Sequence, residues 1–277
     1  MIEQKILVLG GTGKTGRRVV SKLTESGHKD IRIGSRLATP PFDWEKPETW
    51  AEALDGIDAV YITFQPDLAI PDAEDIMKNF TGQATKIGVK KMVLLSGRGE
   101  EVAKVCEKIV MNSSNTWTIV RASWFNQNFS ESIFLGPIQA GHVALPRADA
   151  LEPFTDADDI SEVVVKALLT NEHSGKIYNL TGPRLLTFPQ VIDEISKTIG
   201  RHIEFQSLSL EENVMMLRDY QLPEDQIWLI NYLFTEVLDG RNASVTNDIE
   251  KVLGRKAKDI SDYVKETAAT GIWNPVK

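Results

Sequence analysis

The feature that most restricts this chain lies at its start. Ile6-Leu7-Val8-Leu9 is a short apolar run that stops at Gly10-Gly11-Thr12-Gly13-Lys14-Thr15-Gly16, and a helical pattern follows at once. Gly11, Gly13 and Gly16 fit G-x-G-x-x-G; counted from Gly10 the same stretch fits G-x-x-G-x-x-G. Such a turn brings backbone close to a pyrophosphate and aims the unpaired N–H groups of a helix N-terminus at negative charge. Strand before and helix after are the context that a dinucleotide site requires. Gly13-Lys14-Thr15 imitates the end of a P-loop, but Val8 stands where that motif needs its first glycine, which argues against an NTPase. Gly10, Thr12, Gly13, Lys14, Thr15 and Gly16 are therefore the expected phosphate contacts.

A second short strand, Ile31-Arg32-Ile33, ends at Gly34-Ser35-Arg36. Enzymes that use NAD place an acid about 20 residues past the glycines to accept from the ribose hydroxyls. No acid stands here. Ser35 and Arg36 offer a hydroxyl and a guanidinium, which suit the 2′-phosphate of NADP, so NADP(H) is expected in preference to NAD(H).

Farther along, apolar strands alternate with helices. Strands are expected over 57–64, 91–96 and 117–121, and helices over 14–26, 49–54, 72–87 and 100–111. This rhythm predicts an α/β chain with a doubly wound parallel sheet, the Rossmann arrangement. Past Phe125 the rhythm changes. Residues 136–146 look loop-rich with a short strand over 143–145; a helix over 158–169 and a strand over 177–180 follow. From Thr187 the pattern is mostly helical, over 189–199, 211–220, 224–238, 247–253 and 260–269, with Ser209 and Glu212 forming a capping box. The expected division is a Rossmann domain over 1–150, completed by about 154–181, and a smaller, mostly helical C-terminal lobe over 182–277.

The formal net charge of −8 argues against a nucleic-acid footprint, which normally shows as a basic face. No apolar run approaches the roughly 20 residues of a membrane helix. Met1-Ile2-Glu3-Gln4-Lys5 lacks the basic segment of a signal peptide, and the single cysteine, Cys106, suits a reducing compartment, so a cytoplasmic protein is expected. The four histidines are scattered without metal-ligand spacing, and no metal site is expected.

Taken together, these pieces resemble the NmrA-like group of atypical short-chain dehydrogenases over nearly the whole chain. The resemblance rests on the glycine turn, Gly34-Ser35-Arg36, Val93-Leu94-Leu95-Ser96 and Trp117-Thr118-Ile119-Val120-Arg121. It rests also on Ser123-Trp124-Phe125-Asn126-Gln127-Asn128-Phe129, Asp156-Ala157-Asp158-Asp159-Ile160 and Val245-Thr246-Asn247-Asp248-Ile249. Phe42-Asp43-Trp44 followed by Glu48-Thr49-Trp50 looks more narrowly like the branch with the ergot-alkaloid reductases. The resemblance implies that Thr63-Phe64-Gln65 and Ala122-Ser123-Trp124-Phe125 line the nicotinamide side, and that a substrate pocket lies where these loops meet the helical lobe.

The chain departs from ordinary short-chain dehydrogenases in one respect. Their Tyr-x-x-x-Lys dyad, in which lysine lowers the tyrosine pKa, aligns here with Ala103 and Glu107, and no tyrosine occurs between Tyr61 and Tyr178. The expected activity is NADPH-dependent hydride transfer to a small conjugated acceptor such as a quinone or an iminium compound, without that dyad. Ser96, Glu101, Lys104 and Glu107 are the candidates for proton handling, and Ser96 also for cofactor contact. The alternatives are a regulator that senses NADP without turning it over and binds a protein partner, and a biosynthetic enzyme that keeps only the fold. Trp124 and Phe125 are expected at an aromatic substrate pocket, whereas Trp228, Tyr232 and Phe234, at helical spacing, are expected in the core.

Overall fold

The computed structural model describes residues 4–114 and 116–275. Met1-Ile2-Glu3, part of the segment read for a signal, lie outside the described residues. The elements run β1 (Ile6–Leu9), α1 (Lys14–Glu25), β2 (Ile31–Gly34), α2 (Trp50–Leu54), β3 (Ala59–Ile62), α3 (Ala73–Ile87), β4 (Lys91–Gly97), α4 (Ala103–Ser113) and β5 (Thr116–Ala122). They continue with α5 (Asn128–Glu131), α6 (Leu135–Ala140), β6 (His142–Pro146), α7 (Ala157–Leu169), β7 (Lys176–Leu180), α8 (Phe188–Ile199) and β8 (Glu204–Leu208). Helices α9 (Leu210–Asp219), α10 (Glu224–Tyr232), α11 (Asp248–Leu253) and α12 (Ile260–Ala269) follow.

Six strands pair in the order β2-β1-β3-β4-β5-β7, every pair parallel. Every residue of β1 and β3 is buried, as a sheet covered on both faces demands. Two long cations in the strands satisfy helix ends. Arg32 donates to the carbonyls of Glu52, Ala53 and Asp55 at the end of α2, and Lys91 donates to those of Leu168 and Thr170 at the end of α7. Arg18 pairs with Asp158 and Lys22 with Glu162, linking α1 to α7.

The chain divides into two compact units. The first contains the chain up to Ala122 together with Ala157–Leu180 and Lys251–Gly254; the second contains Ser123–Asp156, Thr181–Glu250 and the chain from Arg255. The division thus falls at Ala122 rather than near residue 150. The reason is packing: Phe129, Phe134, Ile138, Val143 and Phe154 share one core with Phe188, Ile192 and Phe234. This unit also holds a two-stranded parallel sheet, β6 with β8. Helix α8 carries a capping box of Thr187 and Gln190, and α9 carries the expected one of Ser209 and Glu212. The long helix expected over 224–238 is two pieces, α10 and a π-helical turn over Leu233–Val237.

Candidate functional site

In the six-stranded sheet β1 pairs with β2 on one side and β3 on the other, so the chain changes direction across the sheet at the β1/β3 boundary. Loops leaving the carboxyl ends of such a pair diverge and open a crevice, where ligands of open α/β sheets bind. Gly10 follows β1 and Thr63 follows β3. Gly10 has φ +60°, and a Cβ added to it would lie 2.4 Å from Thr63 Oγ1, which itself donates to the Leu9 carbonyl at 3.0 Å. A Cβ on Gly16 would sit 2.1 Å from the Gly10 carbonyl oxygen. Only glycine fits at either position.

Gly13 is the N-cap of α1 and brings no side-chain cap, and the first turn holds no acid. The turn closes on the Gly13 N–H, which donates to the Gly10 carbonyl at 2.8 Å. An uncapped helix start behind a glycine-rich turn leaves the positive end of the helix open to an anion. These residues fit a dinucleotide pyrophosphate. Thr12 is exposed and Lys14 half-buried. Thr15 is buried, and its hydroxyl accepts from the Tyr61 phenol at 3.0 Å, so this side chain braces the turn from beneath. Burial pushes the Tyr61 phenol pKa upward, and this tyrosine stays protonated.

At the end of β2 the Ser35 carbonyl accepts from the Ala38 and Phe42 N–H groups, which fold the chain back on itself. Arg36 is exposed. Phe42, Trp44, Trp50, Phe64 and Phe80 then form an aromatic cluster, with the Trp44 and Phe64 rings 4.9 Å apart. The Trp44 indole N–H donates to the Thr63 carbonyl at 3.0 Å, and that of Trp50 to the Asp43 carbonyl at 2.8 Å. The residues that marked a narrower branch in the sequence therefore hold Thr63-Phe64-Gln65 in place. Phe64 is buried, while Gln65 is exposed at the loop.

Beyond β4 the proton-handling candidates separate into two groups. Ser96 donates to Glu107 at 2.7 Å, and Arg121 grips the same carboxylate with two hydrogen bonds of 2.8 and 2.6 Å. Glu107 is buried, so this is a closed internal ion pair, and the Ser96 hydroxyl is spent on it. Glu101 and Lys104 pair with each other at 2.6 Å on the exposed start of α4. Cys106 is buried, and burial pushes its thiol up to about 11, away from thiolate chemistry.

Two residues absent from the expected set stand out. Asp67, on the loop after β3, and Glu100, in the turn after β4, are near enough to perturb each other's ionisation. Glu100 was read as the first residue of a helix; α4 instead starts at Ala103, and Glu100 folds back over the end of β4. A Cβ on Gly97 would overlap the Glu100 carboxylate, so Gly97 makes room for it. Burial and the neighbouring charges of Asp67 and Glu107 raise the Glu100 pKa to about 8, and burial raises that of Asp67. The only hint in the sequence was Gly97-Arg98-Gly99-Glu100 at a strand end.

Ala122 ends β5 in the first unit, and Ser123, Trp124 and Phe125 belong to the second. The Trp124 N–H donates to Glu152 Oε1 at 3.2 Å, and its carbonyl accepts from the Thr155 N–H at 2.8 Å. Its half-buried ring lies against Phe134, Phe188 and Phe234. Phe234 is a core residue as expected, but Trp228 and Tyr232 are not. They stack on each other 5.6 Å apart, with Trp228 46% exposed. Among the described residues no group of three or more His, Cys, Asp or Glu could hold a metal ion. No helix among them is long and apolar enough to cross a membrane.

The sequence pattern of the NmrA-like family matches residues 97–267, and an NAD(P)H-binding pattern matches residues 10–104. The prestalk A differentiation protein A of Dictyostelium discoideum is 27% identical over 96% of this chain and 93% of its own length. The festuclavine dehydrogenase of Aspergillus fumigatus is 28% identical over 95% of this chain and 98% of its own. Among solved structures, the Citrobacter triphenylmethane reductase complexed with NADP(H) superposes with a TM-score of 0.79 at 18% identity, covering 95% of this chain and 99% of that one. The NADPH-dependent quinone oxidoreductase of Escherichia coli gives 0.80 at 18% identity, covering 94% and 99%. The Rossmann architecture and a nicotinamide cofactor thus rest on sequence and fold together.

Proposed function

Because the chain belongs to the NmrA-like family, we propose that it is an NADPH-dependent reductase of a small conjugated acceptor, a quinone or an organic cation such as an iminium compound. The observation that carries this reading is the uncapped glycine turn at the β1/β3 boundary, with a guanidinium and no acid at the end of β2. The turn and the α1 N-terminus would hold the pyrophosphate, and Ser35 and Arg36 the 2′-phosphate. Within the first unit, Thr63-Phe64-Gln65, Ser96 and Ala122 would border the nicotinamide. Bound NADPH supplies a hydride. Acceptors of this class are strongly electrophilic, which lowers the demand on a protein acid and suits a chain with Ala103 and Glu107 at the dyad positions. Names among the relatives and neighbours, which include a festuclavine dehydrogenase, a quinone oxidoreductase and a triphenylmethane reductase, support the same substrate class.

A second reading, a regulator that senses NADP and binds a protein partner, is favoured by the missing dyad alone. Oxidation of NADPH by the purified protein, measured with quinones and with cationic acceptors and with NADH in parallel, separates the two. Protein-dependent turnover that prefers NADPH is the expected result. Tight NADPH binding with no turnover on any acceptor would favour the regulator.

A further inference from the structure

We propose that Tyr61 is a positioning residue for the cofactor: by donating its phenol proton to Thr15, it frees the Thr15 hydroxyl proton for an oxygen of the pyrophosphate. The proposal rests on the cofactor placement above and not on turnover. One directed bond carries it. Tyr61 lies in β3 opposite Val8 of β1, the strand that runs into the glycine turn. It is fully buried between Val60 and Ile62, which are apolar and equally buried. Phenylalanine would suit such a strand, because a buried phenol is unfavourable unless its hydroxyl is bonded. The Tyr61 phenol donates to Thr15 Oγ1 at 3.0 Å, and burial raises its pKa, so this donor keeps its proton.

Thr15 is the second residue of α1, in the turn whose N–H groups have no partner within the helix. Its backbone is held from α7, where the Ser161 hydroxyl donates to the Thr15 carbonyl at 3.3 Å. A hydroxyl has one proton and two lone pairs. Thr15 Oγ1 receives the phenol proton on a lone pair, so its own proton needs another acceptor. Among the described residues it meets none. An anion at the helix start supplies one, beside the backbone N–H groups that it also engages. A hydroxyl that already accepts a hydrogen bond is the stronger donor for doing so.

Without the phenol, the Thr15 hydroxyl is free to turn back onto a carbonyl of the preceding turn, as threonines in helices do, and its proton is lost to the ligand. The pyrophosphate is common to NADPH and NADH, so Tyr61 serves both cofactors equally. Arg36, directed at a 2′-phosphate, serves one. The two residues thus act on separate parts of the same ligand.

Fluorescence titration of both cofactors, with urea unfolding of the cofactor-free protein, tests this. Tyr61→Phe should weaken NADPH and NADH alike by about tenfold, the effect of one hydrogen bond to a charged group. Thr15→Val should do the same, and Thr15→Ser should bind as the wild type does. In the Thr15→Val background Tyr61→Phe should add nothing. That double variant replaces both bonded groups with apolar ones of similar shape, so its urea midpoint should stay near the wild-type value while the affinity loss persists. Unchanged affinity in Tyr61→Phe, a loss confined to NADPH, or a further loss from Tyr61→Phe in the Thr15→Val background overturns the proposal and leaves the cofactor site standing. A double variant whose midpoint falls in step with its affinity also overturns it, since the bond would then serve the fold alone. If the wild type binds neither cofactor, the cofactor placement falls as well. The expected pattern without turnover of any acceptor supports the proposal and sinks the reductase reading alone.

Discussion

At the end of β2, Arg36 has a neutral serine beside it and no acid to turn toward ribose hydroxyls. A charge-assisted contact of this kind contributes about 1.5–3 kcal/mol. Arg36→Ala should therefore weaken NADPH by about tenfold to a hundredfold while NADH affinity stays nearly constant, as read by fluorescence titration of both cofactors. Equal losses would remove Arg36 from the 2′-phosphate. Arg36 was legible as a candidate because its proposed role depends on local spacing from a recognisable turn. Glu100 was not. Its character comes from burial first and then from Asp67, on the loop after β3, which becomes a neighbour only when β3 and β4 pair in the sheet. Spacing along a chain says nothing of such a partner. Ser96 and Glu107 show the converse, since the residues were visible but the Arg121 grip that closes them off was not.

Elements with their own punctuation were legible in the same way. Helix α3 ends at Gly88 with φ +112°, and α9 starts at its capping box, both as the sequence suggested. The misses lie where local signals are weak or misleading. Strand β8 is short and mostly exposed, and it exists through its pairing with β6 far away in sequence. Helix α6 contains Gly136 and Pro137, which read as loop; in a first turn, proline lacks only an N–H that would have no helical partner. Lys91 shows how a strand end can stabilise a helix. Burial lowers its pKa, yet its ammonium satisfies two carbonyls at the end of α7. Lys91→Met should strand both carbonyls and destabilise the protein by about 1–3 kcal/mol, measured by urea unfolding. A neutral result would show that water replaces the ammonium at no cost.

One carboxyl in each unit ties stability to pH, and the two act in opposite senses. In the second, the Arg184 guanidinium beside Asp259 holds that carboxyl down to about 2, with Glu194 and Ser261 completing the group. A carboxyl depressed by folding adds stability above its unfolded pKa, and the gain is lost as pH falls from about 4 toward 2. In the first, the Glu100 pKa is raised, so the folded state binds the extra proton and loses stability as pH climbs from about 4.5 toward 8. Calorimetry across pH should show both slopes. Arg184→Met should flatten the acid one and Glu100→Gln the alkaline one; either slope surviving its substitution would place its origin elsewhere.

The chain crosses between these units at Ala122/Ser123, Asp156/Ala157, Leu180/Thr181, Glu250/Lys251 and Gly254/Arg255. Neither unit is therefore a contiguous stretch that a ribosome could finish before starting the other. When β5 has emerged, its outer edge has no partner, because β7 is made only after Ser123–Asp156 and α7 have been synthesised. The nascent sheet carries a bare edge of unsatisfied peptide groups for that interval, the state in which strands pair with the wrong chain. Such a protein cannot be trimmed to its nucleotide-binding half by cutting once, and gene fusion or shuffling must move it whole.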